Sequence, residues 1–259
     1  MEVKVKELLA VFISRQIKNG DYISLGTKLP VLTAGVLLAN LTHAPDVKIN
    51  ALNYFVNLSN IDKFEEDLNQ IANPSVQKWT EALMSMEEQV AAIGHMDLCF
   101  AGGLQVDKFG NMNLIGIGDD PNNLKLRGPG CLGTSTVMSI VKRFFIWLNE
   151  HSTRVLVEKC DYISAVGWGE GGKQGRNKLG LLGEGPKFVF TPKAILDFDE
   201  ETKKMRLKHL LPGNTIENVV KSTGFKLLIP DTIEDMIKPT EEEIETLRKR
   251  VDPYSSLRK

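Results

Sequence analysis

Two glycine clusters hold the residues best suited to chemistry. Gly102-Gly103 closes an apolar run that starts at residue 97. Gly128-Pro129-Gly130-Cys131-Leu132-Gly133 leads into a segment of helical periodicity from residue 134. Glycine tolerates positive φ and lets a ligand approach bare backbone. A glycine-rich loop that opens a helix turns free N–H groups outward, which suits a polarised or negative oxygen. Either cluster alone is equally consistent with plain tight turns. Cys131 adds a thiol ahead of the helix, where thiolate character is favoured. It is either a substrate contact or a filler, since free cysteines are commonly buried and inert.

Other chemical readings are weaker. Gly167-Trp168-Gly169-Glu170-Gly171-Gly172-Lys173 nearly spells a phosphate-binding loop, but Gln174 stands where a Ser or Thr hydroxyl should hold magnesium. We expect a mobile surface loop there instead. The four histidines, His43, His95, His151 and His209, form no pair at ligand spacing, so no metal site is expected. Asn53 has an amide that both donates and accepts. It either orients a water or a keto oxygen, or caps the end of a strand.

These residues need elements to hold them. Leu8, Leu9, Phe12, Ile13 and Ile17 give an N-terminal helix one apolar face. Residues 22–25 read as a strand. Pro30 begins an almost wholly apolar helix over residues 31–42, and residues 47–56 read as the next strand. Strand–helix–strand order signals a parallel sheet covered by helices. Two short helices are expected within residues 60–89, with Trp79, Leu83 and Met84 on the second. Residues 106–117 read as strand, Gly-Asn turn, strand. A helix is expected over residues 134–150, with Val137, Ile140, Val141, Phe144, Phe145 and Leu148 as its buried stripe. Short strands follow at 154–158, 162–166, 188–191, 194–198 and 205–210. Gly224 is expected to close a helix over 215–223. Thr240 and Glu243 form a capping box for the last helix, 240–248. The class is α/β: a single open, mostly parallel sheet with helices on both faces. The expected domain spans residues 1–230, and a charged tail with one short helix spans 231–259.

The chain has 259 residues, a net charge of −1 and 42% apolar content, ample for a buried core. The balanced charge gives no basic face for nucleic acid. No apolar run is long enough to span a membrane. Charges interrupt the first helix too often for a signal peptide. Cys99, Cys131 and Cys160 are odd in number and lack metal spacing, which suggests a reducing cytoplasm. The sequons at Asn40 and Asn57 then carry no meaning.

The stretch GGLQVDKFGNMN, then GDDPNNLKLRGPG, then Gly133 and a helix, resembles the small subunit of family I coenzyme A transferases. The resemblance is to the glutaconate CoA-transferase β-subunit type and to the small subunit of the related steroid-ring CoA hydrolases. NGDYISLGTKLPVLTAGVLLANLTHAPDVKI, RVLVEKCDYISAVGW, PKAILDFDEETKKMRLKHLLPG and TGFKLLIPD extend it, in the family's order, over nearly the whole chain. It implies that family's β-subunit fold and an acyl-CoA substrate whose coenzyme A is part of the substrate, with no tightly bound cofactor. It also implies a larger homologous α-type subunit as partner. Gly102, Gly103, Gln105, Gly128, Gly133 and Leu52 are then expected to line the substrate, and a backbone N–H of Gly130 or Cys131 to face the thioester oxygen. The family's transferases attack acyl-CoA with a small-subunit glutamate, in a pattern resembling I-I-V-E-S-G. Here that stretch is Ile49-Asn50-Ala51-Leu52-Asn53-Tyr54, and no Asp or Glu occurs between Asp46 and Asp62. The hydrolase relatives also lack the glutamate and take their catalytic acid from the larger subunit. The resemblance therefore implies hydrolytic carbon–carbon ring opening of a cyclic β-keto acyl-CoA. CoA transfer by another nucleophile, decarboxylation and a non-catalytic role are the alternatives.

Overall fold

The computed structural model describes residues 2–26, 29–51, 55–58, 61, 67–68, 74–131 and 133–259. The chain divides into two compact units, residues 1–100 with 237–259, and residues 101–236.

The first unit begins with helix α1 (Val5–Ser14), strand β1 (Tyr22–Leu25), helix α2 (Pro30–Leu41) and strand β2 (Lys48–Ala51). Strand β3 (Phe55–Leu58), strand β4 (Thr80–Leu83) and helix α3 (Met86–Ala92) follow, then β5 (Leu98–Gly102), which starts in this unit. The strands run in the order β5-β1-β2-β3-β4. β5, β1 and β2 are parallel, and β3 and β4 add two antiparallel strands at the edge. Pro30 occupies the first turn of α2, where its missing N–H costs nothing. The two helices meet closely at Gly35, where a Cβ would stand 2.6 Å from the Ile13 side chain. Leu9, Ile13, Ile23, Leu32, Leu37 and Ile49 fill the core. The C-terminal segment is fastened by charge pairs. Arg15 grips Glu243 at 2.6 and 2.8 Å, and Arg248 grips buried Glu7 at 2.6 and 2.7 Å. Helix α7 (Glu241–Thr246) opens with the expected Thr240–Glu243 capping box.

The second unit contains a small sheet of β6 (Gln105–Asp107), β7 (Met112–Asn113) and β11 (Leu156–Val157). It also has a short hairpin of β8 (Gly116–Ile117) and β9 (Leu126–Arg127). Helix α4 (Thr134–Ile140) precedes β10 (Arg143–Trp147), and short helix α5 (Gly175–Lys178) precedes β12 (Pro186–Phe190). β13 (Ala194–Phe198) and β14 (Met205–Leu210) complete the order β10-β12-β13-β14, parallel first and then antiparallel. Helix α6 (Ile216–Lys221) is capped by the Thr215 hydroxyl. Edge-to-face rings, Phe145–Phe188 at 5.3 Å and Phe145–Phe190 at 5.7 Å, build its core.

The α/β class and the mostly parallel strand pattern are as expected; several boundaries differ. The helix expected over 134–150 stops at Ile140, and Phe144, Phe145 and Leu148 are buried around strand β10. A short apolar run fits either period, and the bulky aromatic run Phe144-Phe145-Ile146-Trp147 favours the strand. The strand expected over 47–56 is two antiparallel strands, and Leu83 lies on β4 rather than on a helix. Residues 162–166 make one bridge, Met112 to Ala165, instead of a strand. Gly224 is not a left-handed helix cap. It bridges Val157, and a Cβ there would stand 2.3 Å from the Leu156 oxygen. Among the described residues no helix is long and apolar enough to cross a membrane.

Candidate functional site

The β6–β7 turn is built by Asp107. Its carboxylate accepts from the Phe109 and Asn111 N–H groups at 2.9 and 3.0 Å, and from the Asn111 amide at 2.8 Å. Gly110 supplies the positive φ the turn requires, +72°. Burial pushes the Asp107 carboxyl up, against the hydrogen bonds from Asn111. Asn111 also reaches the segment after residue 166. Its Nδ2 donates to the Gly169 oxygen at 2.8 Å, and its Oδ1 accepts from the Gly167 and Gly169 N–H groups at 2.9 and 3.2 Å.

Gln105, expected at the substrate, is a buried strut with 5% of its surface exposed. Its Oε1 accepts from Asn113 Nδ2 at 2.7 Å and from the Asp161 N–H at 3.0 Å, and its Nε2 donates to Asp161 Oδ1 at 3.2 Å. Asp161 in turn accepts from the Gly118 N–H at 2.8 Å. A buried amide needs partners, and here they belong to the protein.

The second glycine cluster divides by role. Gly128 is forced by space, because a Cβ would stand 2.2 Å from the Leu114 oxygen. Gly130 and Gly133 are forced by conformation, with φ of +89° and +79°. The Gly130 N–H donates to the Leu114 oxygen at 2.9 Å, so it is not free to meet a thioester. The Cys131 carbonyl accepts from the Thr134 N–H at 2.7 Å, while its own N–H has no acceptor among the described residues. Of the two donors expected, Cys131 is therefore the available one. Its thiol is half-buried. In the first cluster, a Cβ at Gly102 would stand 3.3 Å from the Trp147 oxygen, and one at Gly103 would stand 3.1 Å from the Gln105 oxygen.

Leu52 and Asn53 lie outside the described residues, as does Leu132. The strands on either side of residues 52–54 are clasped. Buried Asn50 donates to the Tyr22 hydroxyl at 2.5 Å and accepts from the Asn57 N–H at 3.0 Å. Asn57, at φ +46°, accepts from the Ile49 N–H at 3.1 Å.

His151 sits between the Thr191 and Thr223 hydroxyls at 2.8 and 3.0 Å, and burial, with Lys193 nearby, lowers its pKa to about 4. His209 bonds the Glu234 carbonyl and His43 bonds the Ile17 carbonyl. No cluster of three metal-ligating side chains occurs among the described residues. Burial pushes the Cys99 thiol up to about 12, and Cys160 is raised likewise and donates to the Asn111 carbonyl.

The glycine-rich segment after Val166 is pinned rather than loose. Asn111 holds its start, and Gly167 has no room for a Cβ, which would stand 2.3 Å from the Gly110 backbone. Arg176, with 2% of its surface exposed, donates to five backbone carbonyls: Val166, Gly167, Gly183, Met138 and Ser139. No carboxylate pairs with it among the described residues, and burial lowers its pKa to about 10. Sequence reading missed both Asn111 and Arg176. The only sequence trace is an Asp four residues before an Asn across a glycine turn, and a lone Arg amid glycines.

A family model described as Coenzyme A transferase matches residues 6–222. The B subunit of glutaconate CoA-transferase from Acidaminococcus fermentans is 34% identical, over 96% of this chain and 92% of the relative. The B subunit of 3-oxoadipate CoA-transferase from Pseudomonas knackmussii is 33% identical, over 93% and 91%. The cholesterol ring-cleaving hydrolase IpdB subunit of Mycobacterium tuberculosis is 24% identical, over 96% and 95%. The crystal structure of the Acidaminococcus fermentans glutaconate coenzyme A-transferase superposes with a TM-score of 0.86, covering 100% of this chain and 98% of that one at 28% identity.

Proposed function

The chain belongs to the coenzyme A transferase family, and from that premise we propose that it is the small subunit of a two-subunit enzyme that opens a cyclic β-keto acyl-CoA by hydrolysis. One observation carries the choice of reaction. Residues 47–61 contain no carboxylate, and in a gapless reading of the family resemblance Leu52 takes the position of the transferase glutamate. Leucine has neither a nucleophile nor a titratable proton, so the covalent glutamyl route is closed on this strand.

The chemistry left open needs no nucleophile from this chain. A water adds to the ring ketone and loses its proton to a base on the larger subunit. The bond between that carbon and the α-carbon breaks, leaving a carboxylate and a thioester enolate. The electron pair delocalises onto the thioester oxygen, where the Cys131 N–H stabilises it, and the α-carbon then takes up a proton. One well-placed donor of this kind contributes about 2.7–4 kcal/mol. Coenzyme A stays on the product throughout.

A second reading is favoured by the 33–34% identity to two transferase subunits: CoA transfer through a nucleophile outside residues 47–61. The co-purified pair, given cyclic β-keto acyl-CoA in ¹⁸O-water, separates the two. Ring opening puts one ¹⁸O into the new carboxylate with the thioester intact. Movement of coenzyme A to an added free acid, without ring opening, would overturn the hydrolase reading.

A further inference from the structure

We propose that Arg176 is a positioning residue for the acyl-CoA reaction, acting through α4 on the loop that carries the Cys131 N–H; this rests on the reading above. A buried guanidinium without a counter-ion is costly unless its donors are satisfied. Arg176 meets that cost with carbonyls from three separate stretches of chain. Nη2 donates to Met138 at 2.8 Å and Ser139 at 3.3 Å, Nη1 to Val166 at 3.0 Å and Gly167 at 2.8 Å, and Nε to Gly183 at 2.8 Å. The guanidinium carbon lies 5.9 Å from the Phe144 ring centre. The channel is shaped for it, because a Cβ at Gly185 would stand 2.8 Å from the Arg176 Cδ.

The Met138 and Ser139 carbonyls end α4, where a cation also meets the negative end of the helix dipole. The other end of that helix is the glycine cluster. Gly133 is its first cap, and the Thr134 N–H bonds the Cys131 carbonyl. Two turns of helix thus link the guanidinium to the peptide that faces the thioester oxygen. The planar fork sets the direction of five bonds, which a lysine ammonium with three donors cannot reproduce. A displaced donor weakens an interaction made only in the transition state, so the loss belongs in kcat and not in KM.

The test compares Arg176→Lys and Phe144→Leu in the co-purified pair with Val219→Ala, a buried site on α6 chosen as a stability control. Each is assayed where circular dichroism shows a folded protein and gel filtration an intact pair. Arg176→Lys should lower kcat by about 10- to 100-fold with KM nearly unchanged, and Phe144→Leu should shift kcat in the same direction by less. Hydrogen exchange of residues 128–141 should quicken in both and stay as in the parent in Val219→Ala. Unchanged exchange of that segment in Arg176→Lys would overturn the proposal whatever the reaction is. So would a kcat loss no larger than that of Val219→Ala. If the parent pair moves coenzyme A instead of opening a ring, the functional reading falls, and the same kcat comparison is made on that exchange.

Discussion

Asn111→Ala is the sharpest perturbation of the framework behind the glycine segments. The side chain, 2% exposed, makes four hydrogen bonds: to the Asp107 carboxylate, to the Gly169 carbonyl, and from the Gly167 and Gly169 N–H groups. A neutral bond contributes about 0.5–1.5 kcal/mol net, and one to a charged group about 1.5–3. Gly167 is buried, so its orphaned N–H adds a desolvation cost of about 1–3 kcal/mol. Relaxation and incoming water recover part of the sum, leaving a loss of about 3–5 kcal/mol. Urea unfolding of the purified chain, followed by circular dichroism, reads it as a lower midpoint at constant slope. Asn111→Asp adds a further signature. A second carboxylate beside Asp107, whose ionisation burial already opposes, has a raised folded pKa. Its variant regains stability as pH falls and loses it as pH rises through that pKa. A loss below about 1 kcal/mol in Asn111→Ala would refute the reasoning, since it is less than the orphaned N–H alone should cost.

Three further outcomes are expected. His151, lowered to about 4 in the folded chain, binds a proton more readily when unfolded, so its contribution is intact above about pH 6.5 and is lost as pH falls toward 4, by at most about 3 kcal/mol; His151→Gln should flatten that part of a stability–pH curve measured by urea unfolding. Cys131→Ala keeps the backbone donor and should leave kcat within a few-fold, whereas Gly130→Ala, forced to φ +89°, should lose far more turnover for about 1–2 kcal/mol of strain. Glu7→Gln removes the charge that two bonds from part-exposed Arg248 meet and should cost about 1.5–3 kcal/mol in urea unfolding.

Much of the frame was legible because its signals are local. β1 and β14 fall at the residues expected, since apolar residues recur there between turn residues. The last helix announces itself by Thr240 and Glu243. The break between α4 and β10 was not legible, because Val137, Ile140, Val141, Phe144 and Phe145 keep helical spacing across it. The glycines could be read as sites of backbone constraint, but not which constraint: Gly128 answers to space and Gly130 to φ. The roles of Gln105, Asn111 and Arg176 depend on partners distant in sequence. Gln105 meets Asp161, Asn111 meets Gly167, and Arg176 meets Met138. No local pattern encodes such pairings.

The central claim is that this chain forms no covalent thioester with coenzyme A. The purified pair, incubated with acyl-CoA and quenched in acid, is digested and its peptides are weighed by mass spectrometry, with borohydride reduction in parallel. The expected result is an unmodified peptide around Leu52 and no substrate-dependent inactivation by borohydride. A coenzyme A adduct on any residue of this chain, formed only with substrate present, would contradict the claim and make the protein a transferase.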